Sequence, residues 1–187
     1  MPTGPQPDLL EQLFFAAPGR LRTGFRLALF LGAWLVATGP VRGLAGLVVP
    51  GAVLPWVAGW FGPAAAAGAT WLLLRKVDER PWADVGLGAD HWRRQAWLVG
   101  AAVGSVAIAL PVAVLVATGQ LQVVPGTAGS LPGAMLYTAW SLLPAALGEE
   151  LIARGYPFAV LRQGLGWPAA TAITSVAFGL LHLGNPG

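Results

Sequence analysis

Two acids stand side by side at Glu149 and Glu150, near the end of an apolar stretch. Arg154 follows four residues after the second, and a histidine, His182, lies on the next apolar stretch. Charge is scarce in this chain: Asp, Glu, Lys and Arg make up 10% of 187 residues, against 56% hydrophobic. A charged side chain at the centre of a bilayer costs about 2.5–3.5 kcal/mol on insertion scales, so acids in an apolar run are functional candidates by default. Successive helix residues point roughly 100° apart, which sends the two glutamates in different directions. Glu150 and Arg154, at i and i+4, are placed to pair along one face. Glu149 is left without a partner in its own helix, and a carboxylate of that kind can act as a general base on water. The competing reading is a helix-end charge cluster for Glu149, Glu150 and Arg154, and a packing histidine for His182.

The elements that carry these residues are two apolar helices with polar stripes. On the first, Thr138, Ser141, Ala145 and Glu149 recur at helical spacing, with Pro144 expected to kink the helix just before the acids. On the second, Thr171, Thr174, Ser175, Phe178 and His182 fall on one stripe. A polar stripe facing lipid is costly, so the two stripes are expected to face each other and bring His182 to Glu149. Interhelical hydrogen bonding is the alternative use of the Ser and Thr residues.

Composition places these helices in a bilayer. A mean hydropathy of +0.65 is too apolar for a soluble domain of this length. The expected fold is an all-α integral membrane bundle of about five transmembrane helices, over residues 24–41, 53–74, 97–118, 134–153 and 168–183. Residues 1–22 form an N-terminal cytoplasmic or interfacial segment. There Asp8 and Glu11 suggest a capping box at the start of a short helix. Residues 23–187 form a single membrane domain. The Gly-rich stretch 42–50 reads as a loop or a re-entrant turn, and Trp56, Trp60 and Trp71 as interfacial anchors. The one sizeable hydrophilic segment, 75–94, carries Arg75, Lys76, Arg80, Arg93 and Arg94 offset by Asp78, Glu79, Asp84 and Asp90, with His91 among solvated charges. The positive-inside rule puts it in the cytoplasm. Two spans separate it from Arg20, Arg22 and Arg26, so the N-terminus is cytoplasmic too. The net charge of +3 sits at the ends of apolar runs and forms no basic stripe, which argues against nucleic acid as a partner. Without cysteine there are no disulfides and no thiolate ligands. Cations that are almost all arginine, with abundant Ala and Gly, point to a bacterial genome of high GC content.

At its charged residues the chain resembles the CPBP family of intramembrane proteases, which includes CAAX prenyl endopeptidases and bacteriocin-immunity proteins. The family's first motif, two glutamates, three residues and an arginine, matches Glu149, Glu150 and Arg154. Its second, a phenylalanine, three residues and a histidine, matches Phe178 and His182. Gly155-Tyr156 and the stretch from Leu183 to Pro186 are also similar, with looser agreement over Trp82 to Leu87. The resemblance covers mainly 147–186. It departs at Ala153, where members usually carry an aromatic. The family's third motif, a histidine with Asn, Asp or His four residues on, has no counterpart before Gly187. Neither Asn185 nor His91 is placed to supply it, so the chain reads as C-terminally truncated, with inactivity as one consequence.

The resemblance implies an intramembrane endopeptidase acting on a peptide or membrane-protein substrate within the lipid bilayer of a bacterial plasma membrane. In that scheme Glu149 activates water, His182 polarises the reacting group or serves as a ligand, and Glu150, Arg154 and Phe178 support them. A covalent mechanism is disfavoured, since there is no cysteine and no Ser sits in a nucleophile motif. A divalent metal such as zinc would have Glu149 and His182 as ligands. A catalytic zinc takes three protein ligands, so the metal-free scheme ranks first. The alternatives are a non-catalytic immunity or scaffold protein, a truncated fragment of the protease, or a proton-coupled transporter. The last expects internal repeats that the sequence lacks.

Overall fold

The computed structural model describes residues 8–17, 19–89, 93–124 and 130–184. His91, Asn185 and the side chain of Glu11 lie outside the described residues. The protein is an all-α membrane helical bundle, 78% helical. Its helices are α1 (Leu9–Phe14), α2 (Thr23–Val48), α3 (Leu54–Ala58), α4 (Phe61–Lys76), α5 (Arg94–Ala117), α6 (Leu131–Ala153), α7 (Tyr156–Leu165) and α8 (Trp167–His182). Three stretches, Thr23–Val48, Trp56–Lys76 and Arg94–Ala117, are long and apolar enough to cross a membrane by length and composition. The helices over the fourth and fifth expected spans are not among them. Helix α6 carries the acids and several hydroxyls, and α8 has 16 residues. At ~1.5 Å per residue α8 reaches roughly 24 Å, short of a ~30 Å hydrocarbon core.

Several local expectations change. The Gly-rich stretch after residue 41 is not a loop, because α2 continues through Pro40 to Val48. Neighbouring helices and local adjustment make such a proline tolerable in a membrane helix. Residues after α1 form a small antiparallel pair, β1 (Phe15–Ala17) with β2 (Arg20–Leu21). The pair turns through Gly19 at φ 71°, and α1 just before it touches α2 through the Phe14–Phe25 ring contact at 4.6 Å. Helix α7 lies in a stretch for which the sequence predicts no helix, and it is flanked or interrupted by the turn formers Gly155, Pro157, Gly164 and Gly166. Pro157 in fact occupies the first turn, where its missing N–H costs nothing.

Packing runs from α2 to α4 and from α4 to α6, while α7 touches α2, α6 and α8. Helix α4, packed between α2 and α6, buries the small residues Ala65, Ala66 and Ala69, as close approach of membrane helices requires. The core joins Phe30, Ala69, Leu73, Leu74, Val85, Tyr156, Ala159 and Val160. Val85 comes from a 3-10 turn, Trp82–Val85, so part of the segment expected to be solvated closes one end of the bundle. Trp56 and Trp60 do more than anchor an interface. The Trp56 carbonyl accepts a hydrogen bond from Trp140 Nε1 at 2.9 Å, and the Trp60 and Trp140 rings lie 5.4 Å apart, stitching the start of the second span to α6.

Helix α7 approaches α2 so closely that a Cβ at Gly164 would overlap the Thr23 hydroxyl. Gly164→Ala is therefore expected to cost about 1–3 kcal/mol of stability. Thr23→Ala in the same chain should recover part of that loss, as read from thermal unfolding in detergent. An unchanged melting temperature in the single variant would contradict the close approach.

Candidate functional site

The polar residues of α6 and α8 meet only partly as their stripes suggest. Helix α6 buries Pro144 and Gly148, one turn apart, against the start of the second span: Gly148 faces Pro63 and Pro144 faces Gly59. Thr138, Ser141 and Ala145 are exposed, so the expected polar stripe is not the face α6 packs against α4. The Ser141 hydroxyl donates to the Tyr137 carbonyl of its own helix at 2.8 Å. Helix α6 is continuous through Pro144, whose ring packs against Gly59. On α8 the less exposed line is Thr174, Phe178 and His182, while Thr171 and Ser175 are exposed. Thr171 and Thr174 donate to carbonyls one turn back, Trp167 and Ala170, at 3.0 and 2.8 Å. These hydroxyls are satisfied locally, so the site narrows to the lower end of α6 and the last turn of α8.

Five side chains converge there. His182 Nε2 lies 3.6 Å from Glu149 Oε1. His182 Nδ1 is 2.8 Å from the Phe178 carbonyl. A carbonyl only accepts, so this contact assigns the proton to Nδ1 and turns Nε2 toward Glu149. The Phe178 ring lies 4.3 Å from the His182 ring, and Arg154 Cζ sits 5.5 Å from the Phe178 centroid on the aromatic face. Arg154 is ion-paired with Glu150 one turn back on α6. The result is a chain of contacts from Glu150 through Arg154 and Phe178 to His182, with Glu149 outside it. Glu149 and His182 keep 48% and 37% of their side-chain surface open, enough for a small reactant to reach both.

The acids lie deeper than the end of an apolar run implies. Gly148, next to Glu149, rests on Pro63, and at ~1.5 Å per residue Pro63 is roughly 20 Å along α4 from Lys76. Beyond Arg154, α7 runs on along α2, from Phe30 at Tyr156 to Thr23 at Gly164, so the bundle extends past the acids. An apolar cleft of about 560 Å³, lined in part by Leu87, Trp97, Gly100 and Leu147, opens between α5 and α6. Helix α5 itself buries no residue.

Glu149 and His182 offer two metal donors on facing helices. Glu150 is committed to Arg154. Among the described residues no group of three His, Cys, Asp or Glu side chains is gathered as a metal site. A catalytic zinc takes three protein ligands, so the residues present do not make a complete set.

A second polar cluster escaped the sequence reading. Arg26, read as one of three flanking cations, is buried and ion-paired with Asp78, read as a solvated charge; their side chains are 3% and 6% exposed. Arg26 Nε donates to the Tyr156 hydroxyl at 3.4 Å and Arg26 Nη1 to Gln163 Oε1 at 3.0 Å. Arg20 Nη2 reaches the same Gln163 oxygen at 3.2 Å. Arg26 and Phe30 are one helical turn apart, which is the only local hint that Arg26 lies on the core face.

Fold and site together define an integral membrane protein with a carboxylate–imidazole pair set between two helices. Residues 130–187 match the family of type II CAAX prenyl endopeptidases described as Rce1-like, in agreement with the resemblance read from the motifs. The matched segment begins at the residue that caps α6 and includes α7 and α8, and so contains all five converging side chains. No curated protein and no solved structure matches the chain.

Proposed function

We propose that the site hydrolyses a peptide bond within the membrane, with Glu149 activating the water. The observation that carries this reading is the 3.6 Å approach of His182 Nε2 to Glu149 Oε1 across two helices, with the imidazole fixed by Phe178. Glu149 takes a proton from water, and the oxygen adds to the scissile carbonyl carbon. His182, carrying a proton on each ring nitrogen in this step, keeps Nδ1–H on the Phe178 carbonyl and donates from Nε2 to the oxyanion that forms. As the tetrahedral species collapses, the C–N bond breaks and the proton held by Glu149 passes to the leaving nitrogen. No acyl-enzyme forms. General base catalysis contributes ~10²–10⁴-fold, and one oxyanion donor about 10²–10³-fold. No step needs a metal.

The substrate in this reading is a peptide or membrane-protein segment that enters from the bilayer. The protein belongs in a bacterial plasma membrane with its N-terminus in the cytoplasm, since the flanking cations and the 75–94 segment give the same orientation. The contact chain supports different roles for the two glutamates in this reading. Glu150→Gln releases Arg154 from its pair and is expected to lower the folded yield, while each folded molecule retains its turnover. Size-exclusion chromatography together with cleavage per folded molecule checks this. Normal yield with lost turnover would reverse the roles of Glu149 and Glu150. Cleavage of no membrane peptide by the wild type would favour a non-catalytic immunity or scaffold role.

A further inference from the structure

We infer that the buried cluster of Arg26, Asp78, Tyr156 and Gln163 is a clasp that positions α7, and through it sets the approach of Glu149 to His182; this rests on the catalytic reading above. Helix α7 is the connection between α6 and α8: only Gly155 separates it from Arg154, and only Gly166 separates it from Trp167. Its two ends therefore dictate where the end of α6 and the start of α8 can lie. The clasp holds both ends. At the first turn the Tyr156 hydroxyl accepts from Arg26, and the Tyr156 ring stacks on Phe30 with centroids 5.6 Å apart. At the far end Gln163 accepts from Arg26 and Arg20, and Gly164 lies against Thr23. One guanidinium thus grips α7 at residues nearly two turns apart, while Asp78, just beyond α4, holds that guanidinium.

Ala159, Val160 and Leu161 are buried along α7 but carry no directional polar group. The guanidinium adds direction to that packing, because its donors form a fixed planar fork. The break between α6 and α7 is equally constrained, since a Cβ at Gly155 would overlap the Leu151 carbonyl. A small change in α7 register is therefore passed to α6 and α8. Buried ionic groups can supply conformational specificity without net stability, and the clasp has that character: Tyr156 and Gln163 are positioning residues outside the reacting pair.

The native chain has no cysteine, so paired spin labels can be introduced at exposed Leu142 on α6 and Leu180 on α8 of the full chain in lipid nanodiscs. The wild type should give one narrow interlabel distance. The triple variant Arg26→Met/Asp78→Leu/Tyr156→Phe replaces the clasp with apolar groups and should still fold, but with a broadened or shifted distance. Its kcat should fall by about 10²-fold, the order expected for a misplacement near 1 Å, with KM within about twofold. Gln163→Met, which frees only the far end of α7, gives a second reading should the triple variant fail to fold. It should broaden the same distance. Unchanged distances and unchanged kcat in these variants would overturn the clasp. The distance measurement does not depend on turnover, so a wild type that cleaves nothing would refute the catalytic reading while the geometric role of the clasp is still decided.

Discussion

Glu149→Gln is expected to lower peptide cleavage by about 10²- to 10⁴-fold, the range contributed by a positioned general base, while leaving the fold intact. The expectation combines chemistry with context. Gln keeps the size and polarity of the side chain and removes only its ability to hold a proton. Among the described residues His182 is the one cation-forming side chain within ion-pair range of Glu149, and no hydrogen bond ties its carboxylate to the rest of the bundle. A large loss of cleavage with an unchanged elution profile is the predicted result. The Glu150–Arg154 pair predicts the opposite separation for Glu150→Gln. The two adjacent acids can therefore be told apart by comparing yield with turnover.

How much of this site the sequence could disclose depends on the range of each contact. Glu150 and Arg154 are four residues apart on one helix, and their pairing follows from helix geometry alone. The Glu149–His182 approach joins two helices and was legible only as two stripes expected to face each other. The polar contact between the helices is narrower than the stripes predict, because the Thr171 and Thr174 hydroxyls are satisfied on their own backbone. That the bundle continues past the acids depends on α7, which turn-forming residues flank and interrupt. The clasp was the least accessible feature. Arg26 and Asp78 are 52 residues apart, and each sits in a charged neighbourhood that suggests solvent. Only the packing of α2, α4 and α7 removes that pair from water. The bundle class was evident because hydropathy accumulates over whole helices, whereas the end of α2 and the small β1–β2 pair depend on local balances that composition does not resolve.

The largest stability effect is expected at this buried pair. Asp78→Ala leaves the Arg26 guanidinium buried without its carboxylate. Breaking a buried pair in this way typically costs about 3–5 kcal/mol. Little water reaches Arg26, and its contacts to Tyr156 and Gln163 supply acceptors without supplying a negative charge. Thermal unfolding in detergent should show a marked fall in the transition temperature. The apolar triple variant should recover most of the fall, because it removes both charges and the phenol that would otherwise be left unpartnered. An Asp78→Ala protein as stable as the wild type would mean that Arg26 reaches solvent.

The central claim is that Glu149 delivers water to a peptide bond inside the membrane. Its most direct test uses the full chain reconstituted in lipid vesicles with a membrane-tethered peptide in water enriched in oxygen-18, with the products analysed by mass spectrometry. The account predicts cleavage at a defined bond, one heavy oxygen in the new carboxylate, no trapped acyl-enzyme, and loss of the product in Glu149→Gln. Cleavage that persists in Glu149→Gln, or an acyl group found on the protein, would contradict it.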